Sequence, residues 1–228
     1  MSSMYETIMD LPLFQGMSHE KVSELIEKTK FHFLKYKAGD CIIESGDDCG
    51  HVRFVVSGSV RVEYSIPNRK VVVSEELSAP SELGVDFLFG MNTVYPFKVT
   101  ALEDCGILQI DKSDYIQILQ SDKVFLFNLL NILSRNSQKA VCGVLCVNSG
   151  TIGERLALMV EILTHRKGRN IRFCFKQKDM CQIFGSQRTS FINALTSLQD
   201  AGIISYNSSE IQIDDRDKLM EILNTKEE

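Results

Sequence analysis

Gln177-Lys178-Asp179-Met180-Cys181-Gln182-Ile183-Phe184-Gly185-Ser186-Gln187-Arg188-Thr189-Ser190-Phe191-Ile192-Asn193-Ala194-Leu195 decides how this chain is read. Met180 and Phe184 lie four apart, and Phe191, Ala194, Leu195 and Leu198 form a second apolar stripe at helical spacing. Between the stripes stands Gly185, where a sharp turn needs a residue that takes positive φ without steric cost. Two short helices about a tight turn make a helix-turn-helix. Gln187, Arg188, Thr189 and Asn193 fall on the outward face of the second helix, and such side chains reach base edges in a major groove. Double-stranded DNA is therefore the first partner to expect.

The charge distribution agrees with that expectation although the chain is acidic overall, with net charge -5 over 228 residues. Residues 165–188 hold Arg166, Lys167, Arg169, Arg172, Lys176, Lys178 and Arg188 against Asp179 alone, a local net of +6. The positive charge sits on the approach to the recognition helix, where phosphates would have to be neutralised. Lys176, Lys178, Ser186 and Ser190 are expected to face phosphates.

Outside this segment the composition is that of a folded protein, with 44% apolar residues and mean hydropathy near zero. The longest apolar run is the five residues Leu156–Val160, too short for a membrane span, and no signal peptide is visible before Lys21. Seven irregularly spaced cysteines do not make a disulfide framework, so a reducing cytoplasm is expected.

The pattern changes along the chain. Residues 1 to about 25 look helical, with Ser18 as N-cap and Val22, Leu25 and Ile26 as a stripe. From Phe31 to Ile110 the period is two. Expected strands are Phe31–Tyr36, Cys41–Glu44, Arg53–Val56, Ser59–Tyr64, Lys70–Glu75, Phe97–Ala101 and Gly106–Ile110, separated by turns that include Pro67-Asn68. Many short strands at even spacing mean a small antiparallel barrel or roll.

Ser121 to Val147 then reads as one long helix. Leu126, Leu130, Leu133, Ala140 and Val144 form a seam longer than a small domain needs, so a parallel homodimer is expected through it. After Asn148-Ser149-Gly150 come a helix at Thr151–Leu163, the basic loop, the helix-turn-helix, and strands at 202–206 and 211–213 that make a wing. The expected domains are thus 1–120, a dimerisation helix 121–147 and a DNA-binding domain 148–228.

The same order of motifs resembles the CRP/FNR family of transcriptional regulators. The resemblance runs through Lys37-Ala38-Gly39-Asp40, Glu44-Ser45-Gly46-Asp47, Phe54–Val62, Leu83–Phe89, Ala101–Cys105, Gly153-Glu154-Arg155-Leu156-Ala157, the helix-turn-helix and Ala201-Gly202-Ile203-Ile204. It implies an α+β fold: an N-terminal antiparallel β-roll (a cupin-like double-stranded β-helix), a long dimerisation helix and a C-terminal winged helix-turn-helix. It also implies RNA polymerase as a partner, and it places Arg188 where the family contacts guanine. Thr189 and Asn193 depart from the family's glutamate and arginine, so the half-site should depart too.

Cyclic-AMP-binding members carry a Gly-Glu pair for the ribose and an Arg-Ser pair for the cyclic phosphate. Aligned without gaps, the pocket positions here are Gly84, Val85, Tyr95 and Pro96. Valine, tyrosine and proline offer a buried phosphate no charge-assisted partner, so cyclic AMP is not expected, and the effector is unknown. Lys98 and Arg69 are the local cations that could compensate. The pocket either takes a less anionic molecule or is filled by Phe87, Phe89, Tyr95 and Phe97.

Neither an iron–sulfur cluster nor another metal site is legible. Cys41, Cys49 and Cys105 lack cluster spacing, Cys49 and His51 are too few ligands, and His19, His32 and His165 are scattered. No Gly-x-Ser-x-Gly, P-loop or paired metal-ligand motif suggests an enzyme. Two alternatives stay open: a ligand-binding module acting through protein contacts, and a redox-responsive regulator using cysteines such as Cys142 and Cys146.

Overall fold

The computed structural model describes residues 4–66, 71–146 and 150–224. The Pro67-Asn68 turn, Arg69, Val147 and the Asn148-Ser149 link lie outside them. Two compact units emerge. The first comprises residues 1–62 and 77–135, and the second residues 63–76 and 136–228.

The first unit begins with α1 (Met4–Met9) and α2 (His19–Lys28), the latter capped by Ser18, whose hydroxyl accepts from the Lys21 N–H at 3.4 Å. Strands β1 (Phe31–Tyr36), β2 (Cys41–Ile43), β3 (His51–Ser57), β4 (Ser59–Ile66), β5 (Val71–Ser78), β6 (Ser81–Leu83), β7 (Phe97–Ala101) and β8 (Cys105–Asp111) follow. One sheet runs β1-β8-β3-β6, and the other pairs the base of β4 with β7 and β2. β8 pairs antiparallel with both β1 and β3, so Leu108 stands opposite Phe33 on one side and Phe54 on the other.

Two turns in this unit repeat one device. The Asp40 carboxylate accepts from the Lys37 N–H at 2.7 Å, and the Asp47 carboxylate accepts from the Glu44 N–H at 3.0 Å. Each aspartate satisfies a donor that the turn would otherwise strand.

The expected long helix is preceded by a shorter one that the sequence reading did not include. α3 (Lys112–Ser121) stops at Asp122, whose carboxylate accepts from the Phe125 N–H at 3.0 Å and so starts α4 (Lys123–Cys146). The sequence-based boundary at Ser121 falls on that break. Phe125 packs edge-on against Phe14 and Tyr115 at 5.1 and 5.5 Å, anchoring the first turns of α4 in the unit's core.

The second unit holds the later part of α4, then α5 (Ile152–Leu163), β9 (Arg169–Cys174), α6 (Gln177–Ile183), α7 (Arg188–Asp200), β10 (Ile204–Tyr206), β11 (Glu210–Ile213) and α8 (Arg216–Asn224). α5 starts on a capping box: Thr151 Oγ1 accepts from the Glu154 N–H, and the Glu154 carboxylate accepts from the Thr151 N–H at 2.7 Å. The core of the unit joins Leu156, Val160, Phe173, Met180, Phe184, Phe191, Leu195 and Ile211.

Two corrections to the sequence reading stand out. The latter half of the basic loop is strand β9, with Ile171 and Phe173 buried and Arg172 and Cys174 exposed, and Phe175 just after it is buried too. The period-two alternation was present, but the cations between the apolar residues masked it. β5 also does more than close a hairpin with β4. It pairs with β9, so the second unit's sheet runs β10-β11-β9-β5, and Val71 and Val73 are buried in that unit's core.

Candidate nucleic-acid interface

The helix-turn-helix is built as the spacing predicts. α6 ends at Phe184, Gly185 turns at φ +55° with nothing within 4 Å of where a Cβ would stand, and Gln187 caps α7. Glycine is thus required for its backbone conformation and not for space. Phe184 and Phe191 pack at 5.5 Å across the turn and set the angle between the helices.

Burial then separates the faces of α7. Phe191, Leu195 and Leu198 are buried, while Gln187, Arg188, Thr189, Ser190 and Asn193 are exposed. Lys176 and Lys178 are exposed at the start of α6. An open groove of about 600 Å³ runs along this face, lined by Gln177, Lys178, Gln182, Ser186, Gln187 and Arg188 among others. Ser186 is the exception among the expected phosphate contacts: its hydroxyl is buried, with no hydrogen-bond partner among the described residues.

Arg155 is the residue the sequence reading passed over in this site. Its guanidinium donates to the carbonyl of Phe184 and, at 3.1 Å, to that of Gly150. It therefore satisfies a carbonyl at the end of α6 that helix geometry leaves without a partner. The signal was Gly153-Glu154-Arg155-Leu156-Ala157, noted as a motif without a structural reason.

The wing is the β10–β11 hairpin, closed by Asn207 N–H donating to the Glu210 carbonyl at 2.9 Å. It is tied to α7 where the hydroxyls of Thr196 and Tyr206 meet at 2.9 Å.

In the first unit, two of the four expected pocket positions, Gly84 and Tyr95, are packed against aromatic rings. Gly84 sits at φ +70°, and a Cβ there would meet Tyr95 at 2.8 Å and Phe97 at 2.9 Å, so the backbone approach admits only glycine. Tyr95 is buried, donates its hydroxyl to the His51 carbonyl at 2.8 Å, and packs at a tilt against Phe97 at 5.6 Å; burial pushes its pKa up. Phe87 meets Phe97 at 5.9 Å, and Phe89 lies 6.4 Å from Tyr115. Val85 is buried, and Pro96 is exposed.

Glu82 on β6 lies three residues before Val85 and buries its Oε2. Lys98 is engaged by Glu44 at 2.8 Å, and Arg53 lies over the Tyr95 ring at 5.7 Å.

Among the described residues no group of three or more His, Cys, Asp or Glu side chains could hold a metal ion. Burial raises the thiol pKa of Cys41, Cys49, Cys105 and Cys174 above the ordinary value, which lowers their thiolate fraction. Cys142 is exposed on α4, and the side chain of Cys146 lies outside the described residues.

On α4, the seam residues Leu130, Ala140 and Val144 are exposed, while Leu126 and Leu133 are half-buried. The most open apolar side chains are Phe127 (62%), Leu130 (49%), Val141 (57%) and Val144 (73%). Together with Ser134 and Ser137 they recur at alternating intervals of three and four, so the open stripe is rotated slightly from the expected one.

Comparison with known proteins agrees with this geometry. Residues 33–122 match the cyclic nucleotide-binding domain, and residues 154–222 match the Crp-like helix-turn-helix domain. The chain belongs to the CRP/FNR family. This family member is 25% identical over 192 residues to the cAMP-activated global transcriptional regulator CRP of Haemophilus influenzae, covering 81% of this chain and 85% of that protein. In fold it resembles the catabolite activator protein of Thermus thermophilus, with TM-score 0.55 and 20% identity over 94% of this chain and 99% of that one. It also resembles the c-di-GMP-responsive global regulator CLP of Xanthomonas campestris, with TM-score 0.51 and 14% identity over 85% and 98% of the two chains. This CRP/FNR-family chain is a DNA-binding transcriptional regulator. CRP-like regulators bind DNA and act as dimers. Among the described residues, no helix is long and apolar enough to cross a membrane.

Proposed function

We propose that the protein is a sequence-specific homodimer that reads a pseudo-palindrome, with α7 of each protomer in a major groove and half-sites about one helical turn apart. The observation that carries this reading is the exposed set Gln187, Arg188, Thr189 and Asn193 in the first turns of α7, with Thr189 and Asn193 on the side away from the buried Phe191 and Leu195. Arg188 reads guanine through its two-pronged guanidinium. Lys176, Lys178 and Ser190 contact phosphates, whereas the inward Ser186 hydroxyl supports no such contact. The seam on α4 joins the protomers in parallel. The protein acts in the cytoplasm with RNA polymerase as its onward partner.

Its effector is not cyclic AMP. The supporting observation is that buried Tyr95 and Phe97 occupy the space beside Gly84 where a cyclic phosphate would need a cation. Selection of binding sites from random duplex DNA with purified protein tests the reading. An inverted repeat is the expected outcome, and recovery of unrelated sequences would sink it.

A further inference from the structure

The second unit is completed by a segment of the first domain's sequence. Residues 63–76 lie inside the match to the cyclic nucleotide-binding domain, yet they fold into the compact unit of the helix-turn-helix. β5 covers the edge of β9: Val72 pairs with Cys174, Val73 with Phe173, Ser74 with Arg172 and Glu76 with Arg169. This is strand addition within one chain.

The register shifts between Ser74 and Glu76. In a regular strand neighbouring side chains point to opposite faces, but an irregularity re-aims one of them. Here Glu75 reaches the loop before β9, and Glu76 reaches the first residues of β9 itself. Glu75 is 1% exposed, and its two oxygens accept from the His165 N–H at 3.1 and 2.9 Å. The same carboxylate lies 2.7 Å from His165 Nδ1, and a Cβ on Gly168 would collide with it. Glu76 accepts from the Asn170 side-chain amide at 2.6 Å, and Asn170 is held at φ +47°. The loop itself closes with the Gly168 N–H donating to the His165 carbonyl at 2.9 Å. Between these pinned residues Arg166, Lys167 and Arg169 are exposed to solvent.

A buried carboxylate is tolerated only where donors converge on it. These donors all come from the basic loop, so burying Glu75 specifies that loop's conformation. We propose that Glu75 is a positioning residue for nucleic-acid binding: through it, the β4–β5 hairpin presents Arg166, Lys167 and Arg169 as a pre-formed phosphate-binding loop. The inference rests on the DNA-binding reading and adds to it a second cationic contact, set by a segment of the sensor sequence.

The test uses the full-length protein with three substitutions, Glu75→Ala, Glu75→Gln and Arg188→Ala. Glu75→Ala should weaken binding to selected and unrelated duplexes alike, by roughly three- to tenfold near 0.1 M salt, and lower the slope of log affinity against log salt by about one to two. The sequence preference found by selection should stay unchanged, which general loss of structure would not allow. Glu75→Gln keeps the volume and one acceptor, so it should fold and fall between wild type and Glu75→Ala. Amide exchange at His165 and Gly168 should quicken in both variants while the Phe173 and Ile211 amides stay protected. Unchanged loop exchange would overturn the positioning role, and faster exchange with an unchanged salt slope would overturn its part in binding. Arg188→Ala serves as the contrast: it should alter base preference and leave loop exchange alone. A wild type that bound no duplex at any salt would overturn the DNA-binding reading, while the exchange data would still judge the clamp.

Discussion

Arg155 on α5 donates to the carbonyl of Phe184 at the end of α6, 29 residues along the chain. Its two terminal nitrogens donate to the Phe184 and Gly150 carbonyls, while its Nε is buried without a hydrogen-bond partner among the described residues. A positive charge there also complements the negative end of the helix dipole. Removing it should loosen the turn that aims α7.

Arg155→Ala is accordingly expected to cost about 1.5–3 kcal/mol, the usual range for a lost hydrogen bond to a charged group. Arg155→Lys should recover only part, because one ammonium lacks the planar fork that spans two carbonyls. Denaturation followed by circular dichroism measures both. Equal stability for wild type and Arg155→Ala would show that the clamp contributes nothing.

Gly185→Ala is expected to destabilise the helix-turn-helix by roughly 1–2 kcal/mol, the cost of holding a residue with a Cβ in the left-handed region. Open space around the position means that the cost is conformational and that the variant should still fold. A melting temperature at or above that of wild type would contradict the conformational argument.

Arg188→Ala should weaken binding to the selected site by about 1–3 kcal/mol and relax preference at one base pair of each half-site. Lys178→Ala should instead lower affinity for every sequence and reduce the salt slope by about one. Quantitative binding over a salt series separates the two. An unchanged motif and affinity for Arg188→Ala would place base reading elsewhere.

Paired replacement of Leu130 and Val144 by lysine should convert a dimer into a monomer. Both side chains are exposed in the protomer, so the change should spare its fold, whereas the half-buried Leu133 is a poorer choice for this test. Like charges brought into a dry seam would oppose association. Sedimentation showing an intact dimer would move the interface off this face of α4.

Cyclic AMP and cyclic GMP are expected to bind at least a hundredfold more weakly than a site with a matched cation would bind them. The lost charge-assisted bond, together with the proline that offers no donor, accounts for roughly 3 kcal/mol. Titration calorimetry is the direct measurement. A micromolar constant for either nucleotide would require Tyr95 to leave its place under His51 and would restore a cyclic-nucleotide mechanism.

Much of the fold was legible because it depends on local patterns. The stripes of Met180–Phe184 and Phe191–Leu198 specify two helices, Gly185 specifies their turn, and the roll's strands show in alternation that neighbouring residues alone can display. Thr189 and Asn193 were identifiable as outward because a helix face is fixed by spacing once its buried side is known, whereas Arg188, one turn before Phe191, is exposed at the first position of α7.

Contacts between residues far apart in the chain were decided only by the tertiary structure. The cationic segment Arg169–Cys174 reads as a loop until β5 and β11 pair with its two edges. Glu75 looks like a surface acid in a strand, and nothing near it in the sequence shows that His165, 90 residues on, will converge on its carboxylate. Arg155 likewise gives no local sign of the Phe184 carbonyl it meets. Periodicity carries information about which side of an element is buried, and by itself the sequence determined that much. Which distant backbone groups a buried charge must satisfy depends on how the elements pack, because such a charge is stable only after those donors and acceptors have come together.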